Sequence, residues 1–209
     1  MAKLKYSKSA LQAERTQLRL YERTLPSLDL KRRQLSIELA RARAALAGAK
    51  RAVEQLEANV GPQLPMLANP EMALSGLVEL VDFELGEENV VGVRLPLLRR
   101  VNCAVADYSL LAKPAWVDVL VERLQDAARL HVGVLVAAER VRILEQHEKR
   151  VTQRVNLFDK ILIPQARRNI QRIRIFLGDA ERAAVVRAKI AKAKQARQRE
   201  AQLLESREI

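Results

Sequence analysis

The chain has 209 residues, with only 7 Gly, 7 Pro and 3% aromatic residues, too little aromatic bulk for a large globular core and the make-up of long helices. Its one cysteine, Cys103, excludes an intramolecular disulfide or a zinc cluster built on several cysteines, and is expected to be a small buried apolar residue. The formal net charge of +12 is unevenly spread: residues 182–199 hold seven basic side chains and no acidic one, whereas residues 71–88 hold six carboxylates and no Lys or Arg.

No uncharged apolar run approaches a membrane span and the first residues lack the apolar stretch of a signal peptide, so a cytosolic protein without direct membrane insertion is expected. Counting sevens from Leu4 gives Leu11, Leu18, Leu25, Arg32, Leu39, Leu46, Val53 and Val60, an apolar seam interrupted once. The companion seam runs Ser7, Glu14, Tyr21, Leu28, Leu35, Ala42, Ala49 and Leu56. Residues 1–60 therefore read as a coiled-coil helix, roughly 85 Å long at ~1.5 Å per residue over positions 4–60.

Gly61-Pro62, Pro65 and Asn69-Pro70 are expected to end it, opening an insert over residues 61–113. Within the insert, Val90–Leu95 and Val101–Ala106 are expected to pair as a β-hairpin across a Pro-containing connection, and residues 71–81 to add a short helix. From Pro114 the helical pattern resumes and runs to residue 204, leaving 205–209 as a tail; its seam is Ile170, Ile173, Leu177, Ala180, Ala184 and Ala191.

The fold class that follows is mainly α: a long antiparallel two-helix coiled coil formed by the N- and C-terminal helices, with a small central insert containing a β-hairpin and a short helix. Neither helix could bury its seam alone. The basic ends would meet where the termini lie together. Pro26 and Pro164 should kink their helices, and would fall at one level if facing residue numbers sum to about 190.

Catalytic signatures are missing. There is no phosphate loop of the GxxxxGK[ST] type and no GxSxG elbow, and His131 and His147 lack the spacing that places two ligands on one helical face. No enzyme activity, cofactor, metal site or direct nucleotide binding is expected. The basic stretch with Arg187, Lys189, Lys192, Lys194 and Arg197 is interleaved with alanine rather than aromatics, which suits a solvated helix end or a protein contact better than nucleic acid.

Two blocks resemble a known family. Lys8-Ser9-Ala10-Leu11, Leu18-Arg19-Leu20, Leu28 and Lys31-Arg32 with Leu35 are similar to the opening of the D-subunit family of V- and A-type rotary ATPases and ATP synthases. Arg154-Val155-Asn156-Leu157, Ile163-Pro164, Ile170, Ile173 and Arg187-Ala188-Lys189 resemble that family's C-terminal helix. Thr24, Pro26, Arg33 and Ala188 depart from its usual pattern.

The resemblance implies a non-catalytic central-stalk shaft, peripheral to the membrane, that couples ATP hydrolysis or synthesis in a ring of A and B subunits to rotation and ion translocation. Ring contacts are expected at Leu4, Lys8, Leu11, Arg187, Lys189, Lys192 and Lys194. A small F subunit would pack at Leu46, Val53 and Val141, and a socket subunit leading to the membrane rotor would meet the end nearer the insert. The choice between protons and sodium ions would belong to the membrane ring. A coiled-coil nucleic-acid-binding protein or a scaffold would explain the charge or the heptads, but not the two ordered blocks.

Overall fold

The computed structural model describes residues 4–64, 76–107, 114 and 116–205. In chain order these form helix α1 (Lys8–Gln63), strands β1 (Val78–Val90) and β2 (Val93–Val105), helix α2 (Trp116–Leu157), a π-helical turn (Phe158–Leu162) and helix α3 (Ile163–Glu205). The fold is mainly helical with a two-stranded antiparallel hairpin in the middle, as the sequence predicts. Two compact units are built from it, one from residues 1–28 with 154–209 and one from residues 29–153.

The heptads of α1 are also its buried stripe. Leu35 and Leu39 are buried, and every other member of the two seams from Leu4 to Val60 is half-buried. Ser7 caps the helix, its Oγ accepting from the Ala10 amide at 3.2 Å, which satisfies one of the four orphan donors of the first turn. At the other end α1 continues through Gly61 and Pro62 to Gln63, three residues past the expected stop, and the Leu64 amide still donates to the Val60 carbonyl at 2.9 Å.

In the first unit α1 and α3 run antiparallel. Lys8 pairs with Glu181 at 3.5 Å, Asn169 donates to Glu14 at 3.1 Å and Arg167 donates to Glu22 at 2.7 Å. The Tyr6 and Phe176 rings meet at a tilt of 44° with 4.9 Å between centroids, and Tyr21 meets Phe158 edge-on at 5.3 Å. The numbers of facing residues sum to 189 at the two ion pairs but only to between 179 and 183 at Glu14–Asn169 and the two aromatic pairs, so the expected sum of about 190 does not hold along the whole pair. The buried face of the C-terminal helix is Val155, Ile163, Ala166, Ile170 and Ile173, the last fully buried.

The two prolines behave differently. Pro26 sits inside α1, which runs through it as one continuous α-helix. Ahead of Pro164 the chain widens into the π-helical turn, in which the Ile163 amide reaches back five residues to the Phe158 carbonyl. Pro164 has no amide to offer and its ring crowds the carbonyl four residues back, so an inserted residue relieves the clash where a regular turn would break. The insertion also rephases the stripe: Val155 to Ile163 is a step of eight where a heptad gives seven. Sequence continues the stripe to Ala191, but burial does not, since Ala180, Ala184 and Ala191 are all exposed.

In the second unit the end of α1 and the start of α2 enclose a small core of Leu64, Leu77, Val117, Leu120 and Val121, joined by Val60, Val78, Trp116 and Leu124. Farther along, Arg43 of α1 donates to Glu145 of α2 at 2.7 Å, again in an antiparallel sense. The hairpin lies against these helices through its tip, where Val93 and Leu95 are almost completely buried. Arg140 of α2 holds both strands at once, donating to the Pro96 carbonyl of β2 at 2.9 Å and to the Glu88 carboxylate of β1 at 2.6 Å.

The hairpin differs from expectation in its turn. Val90 pairs with Val93 across a two-residue turn at Val91-Gly92, so the segment expected to be the first strand contains the reversal, and Pro96 lies within β2 rather than in a connection. Val91 and Gly92 both have positive φ, 54° and 75°, the conformation that matches the twist of a tight hairpin but strains a β-branched residue. Pro96 is tolerated because a two-stranded sheet leaves every strand at an edge, and its carbonyl finds Arg140. Of the segment expected to add a short helix, residues 71–75 lie outside the described residues and residues 78–81 open β1. Cys103, expected to be buried, is half-buried on β2.

Three outcomes follow from this packing. Ile173→Ala should lower unfolding stability by about 3 kcal/mol, read by chemical denaturation, because it empties a fully enclosed site. Val91→Asn should stabilise the hairpin by about 1 kcal/mol by removing the strain at positive φ, seen as slower amide exchange in β1 and β2. Arg140→Ala should accelerate exchange in the same strands while leaving α3 unchanged, the loss being about 1 kcal/mol for a partly exposed pair of hydrogen bonds.

Candidate partner-binding surfaces

The first surface is the free end of α3. Lys8, the first residue of α1, meets Glu181, and α3 continues to Glu205. Every residue from Asp179 through Arg199 is exposed. From Arg182, which pairs with Asp179 at 3.5 Å, to Arg199 stand seven cations, Arg182, Arg187, Lys189, Lys192, Lys194, Arg197 and Arg199, with no carboxylate between them. At about 100° per residue they point to all sides of the helix rather than along one stripe. Val185, Val186 and Ile190 are exposed between them, an apolar component that the alternating Lys and Ala pattern obscures.

Of the expected ring contacts, Leu4 and Leu11 are half-buried, Lys8 is exposed within its pair with Glu181, and Arg187, Lys189, Lys192 and Lys194 lie farther out along α3. Arg187 bends back to donate to the Ala183 carbonyl of its own helix at 3.2 Å. The structure thus brings Lys8 to the root of the projecting segment and sets the four distal cations beyond it.

The second surface belongs to the unit of residues 29–153. Leu46 and Val53 are half-exposed on α1, whereas Val141 is buried, leaving its side chain little surface to offer a partner. Apolar side chains of this unit that the heptad count leaves out are exposed, among them Ile37 on α1 and Leu135 on α2, the latter 69% exposed. On the hairpin, Leu80, Val81, Phe83, Leu85 and Leu97 are exposed as well. Along α2 the Arg142 guanidinium donates two hydrogen bonds to Glu139, at 2.6 and 2.7 Å, and these hold the Glu139 carboxyl below the usual carboxylate range.

The motif positions Arg154, Val155, Asn156, Ile163 and Pro164 bracket the π-helical turn. Val155 and Ile163 are buried in the stripe on either side of it, Arg154 and Asn156 are exposed, and Pro164 is half-buried at the start of α3. These positions therefore build the turn and its packing. Among the described residues no cluster of His, Cys, Asp or Glu could hold a metal ion, and no helix is long and apolar enough to cross a membrane.

One further feature was invisible in the linear sequence. A cleft of about 740 Å³ in the first unit is floored by Leu18 and Ile170 and lined by Arg15, Arg19, Arg167 and Arg174. The i, i+4 spacing of Arg15 and Arg19 is a signal for one wall, but the opposite wall comes from α3 and needs the register between helices.

Comparison with known proteins identifies the family of the chain. The ATP synthase D-subunit family matches residues 10–193. The D subunit of a V-type ATP synthase from Chlamydia muridarum is 34% identical over 192 residues, covering 91% of this chain and 95% of the relative. The V-type ATP synthase D subunits of Chlamydia caviae and Borreliella burgdorferi are 33% and 29% identical, each over 91% of this chain and over 92% and 94% of their own lengths. The match takes in both helical blocks, the hairpin and the motif around the π-helical turn, and the chain belongs to the ATP synthase D-subunit family.

Proposed function

We propose that the protein is the non-catalytic central-stalk shaft of a V-type rotary ATPase or ATP synthase, coupling nucleotide chemistry in a surrounding ring to rotation and ion translocation. The observation that carries this reading is the projecting end of α3, with exposed cations on all sides of a helix that has no partner beyond Glu181 among the described residues. A nucleic-acid groove would favour a stripe of positive charge on one face. Charge distributed around the whole circumference suits a partner that encloses the helix.

In this reading Leu4, Lys8, Leu11, Arg187, Lys189, Lys192 and Lys194 face A and B subunits of a ring. The ring's alternating conformations would bind different sides of the helix with different free energy, which is all that coupling requires of the shaft. No side chain here needs to touch a nucleotide. Small aliphatic residues between the cations keep the helix slender, and long flexible lysines make contacts that are individually weak and readily exchanged.

The exposed surface around Leu46 and Val53 is assigned to the small F subunit, with Val141 supporting it from within the helix pair. The socket subunit is assigned to the hairpin's side of the second unit. The whole would sit on the cytoplasmic face as a peripheral part of a membrane-bound complex. The names of the relatives, all D subunits of V-type ATP synthases, support the class of assembly.

The test is purification of the tagged chain from its native cells with identification of what accompanies it. Nucleotide-binding ring subunits should be recovered with the wild-type chain. Replacing Arg187, Lys189, Lys192 and Lys194 together by Gln should weaken ring association by roughly tenfold and lower ion-coupled ATPase activity, while helicity by circular dichroism stays unchanged. Recovery of the wild-type chain alone, or with nucleic acid, refutes the assignment.

A further inference from the structure

We propose that the cleft between β2 and α2, lined by Arg99, Arg100, Asn102 and Arg129 around Cys103, binds a small oligophosphate anion, a diphosphate or triphosphate group taken from solution. The cleft lies wholly within the unit of residues 29–153, and the shaft reading does not depend on it.

Charge is the first argument. Three guanidinium side chains, two from consecutive residues of β2 and one from α2, line a cleft of about 590 Å³ to which no carboxylate contributes. Glu84 of the acidic strand β1 stands directly opposite Arg100 in the ladder, yet among the described residues neither Arg99 nor Arg100 has an ion-pair or hydrogen-bond partner. Arg129 is paired with Asp126 alone, at 3.1 Å. An anion in the cleft offsets the repulsion among the three.

The backbone is the second argument. The ladder steps from Arg100 opposite Glu84 to Leu98 opposite Leu85, so Arg99 is the extra residue of a β-bulge. A bulge gives up a ladder pair and re-aims the side chains beside it, a cost that a sheet of two strands has little to set against. The Arg99 side chain lies over Gly86 of β1, where a single added methyl group would meet its Nε at 2.5 Å. Bulge and glycine together make room for a second guanidinium beside that of Arg100.

The lining selects the ligand. Arginine's planar fork takes acceptor oxygens in pairs, and a carboxylate fills a single fork, whereas linked phosphates present oxygens to guanidiniums on both walls. Asn102 adds an amide donor. The two apolar lining residues, Leu98 and Val101, are half-buried and no aromatic side chain lines the cleft, so it offers neither an anchor pocket for a peptide nor a stacking face for a base.

Cys103, the only cysteine, lies in the cleft and reports its occupancy. The full chain is alkylated with uncharged iodoacetamide at fixed pH and ionic strength, and the rate at Cys103 is followed by mass spectrometry with pyrophosphate, citrate or sulfate added. The expected result is saturable slowing by pyrophosphate, half-maximal below about 1 mM and at least about tenfold more effective than by citrate. Arg99→Gln with Arg100→Gln should raise the midpoint about tenfold, and Arg197→Gln with Arg199→Gln on the projecting helix should leave it unchanged. Asp126→Asn releases Arg129 and should lower the midpoint about threefold, which loss of a purely structural pair would not do. That variant also keeps the proposal testable should the double variant on β2 disturb the hairpin. Equal slowing by citrate, indifference to the cleft variants, a higher midpoint with Asp126→Asn, or protection by phosphatidylglycerol vesicles and not by pyrophosphate would each overturn it.

Discussion

A long helix in a two-helix pair can bury only a narrow stripe, and everything else about this chain is arranged around keeping that stripe in register. On α1 the stripe follows sevens from Leu4 to Val60, with Leu35 and Leu39 at its most enclosed level. With so little buried area per residue, small directional contacts across the pair matter more than in a globular core. Lys8–Glu181, Asn169–Glu14, Arg167–Glu22 and the two aromatic pairs fix the sliding position of α1 on α3 in the first unit, and Arg43–Glu145 does the same between α1 and α2 in the second. Each is individually weak at the surface, but all of them favour one antiparallel alignment.

The hairpin depends on a different device. Two strands alone do not make a stable sheet in water, so the tip must be held by something outside it. Val93 and Leu95 supply the apolar contact, and Arg140 supplies direction by reaching an acidic strand and a strand carbonyl together. The acidic character of β1 thus has a structural use at Glu88, while the apolar residues farther from the tip are left exposed.

Much of this was legible in the residues because heptads, proline positions and charge blocks are local signals. Both seams of α1, the antiparallel pairing and the presence of a hairpin follow from them. The hairpin's turn did not, because Val91 adopts a backbone conformation its side chain disfavours and Pro96 sits in a strand, so both residues contradict the pattern that normally marks a turn. The π-helical turn was hidden for a related reason: Pro164 announces a disturbance, but whether a helix kinks or takes in an extra residue is settled by the packing of Val155 and Ile163 on either side. Among candidate contacts, the cations of α3 were plain in the sequence, whereas the burial of Val141 and the meeting of Arg15 with Arg174 in one cleft depend on alignment between helices.

The extra residue at 158–162 also bears on handedness. Heptads repeat slightly faster than the α-helix turns, which winds a pair of helices around each other to the left. One ordinary turn and one wider π-helical turn together take up the step of eight from Val155 to Ile163, so the extra residue is absorbed inside the helix and adds no winding of its own. The buried stripe thus returns to the same face of the helix across the π-helical turn, beside the edge-on contact of Tyr21 with Phe158, and α3 resumes its threes and fours at Ile163, Ala166, Ile170 and Ile173 without the heptad being kept.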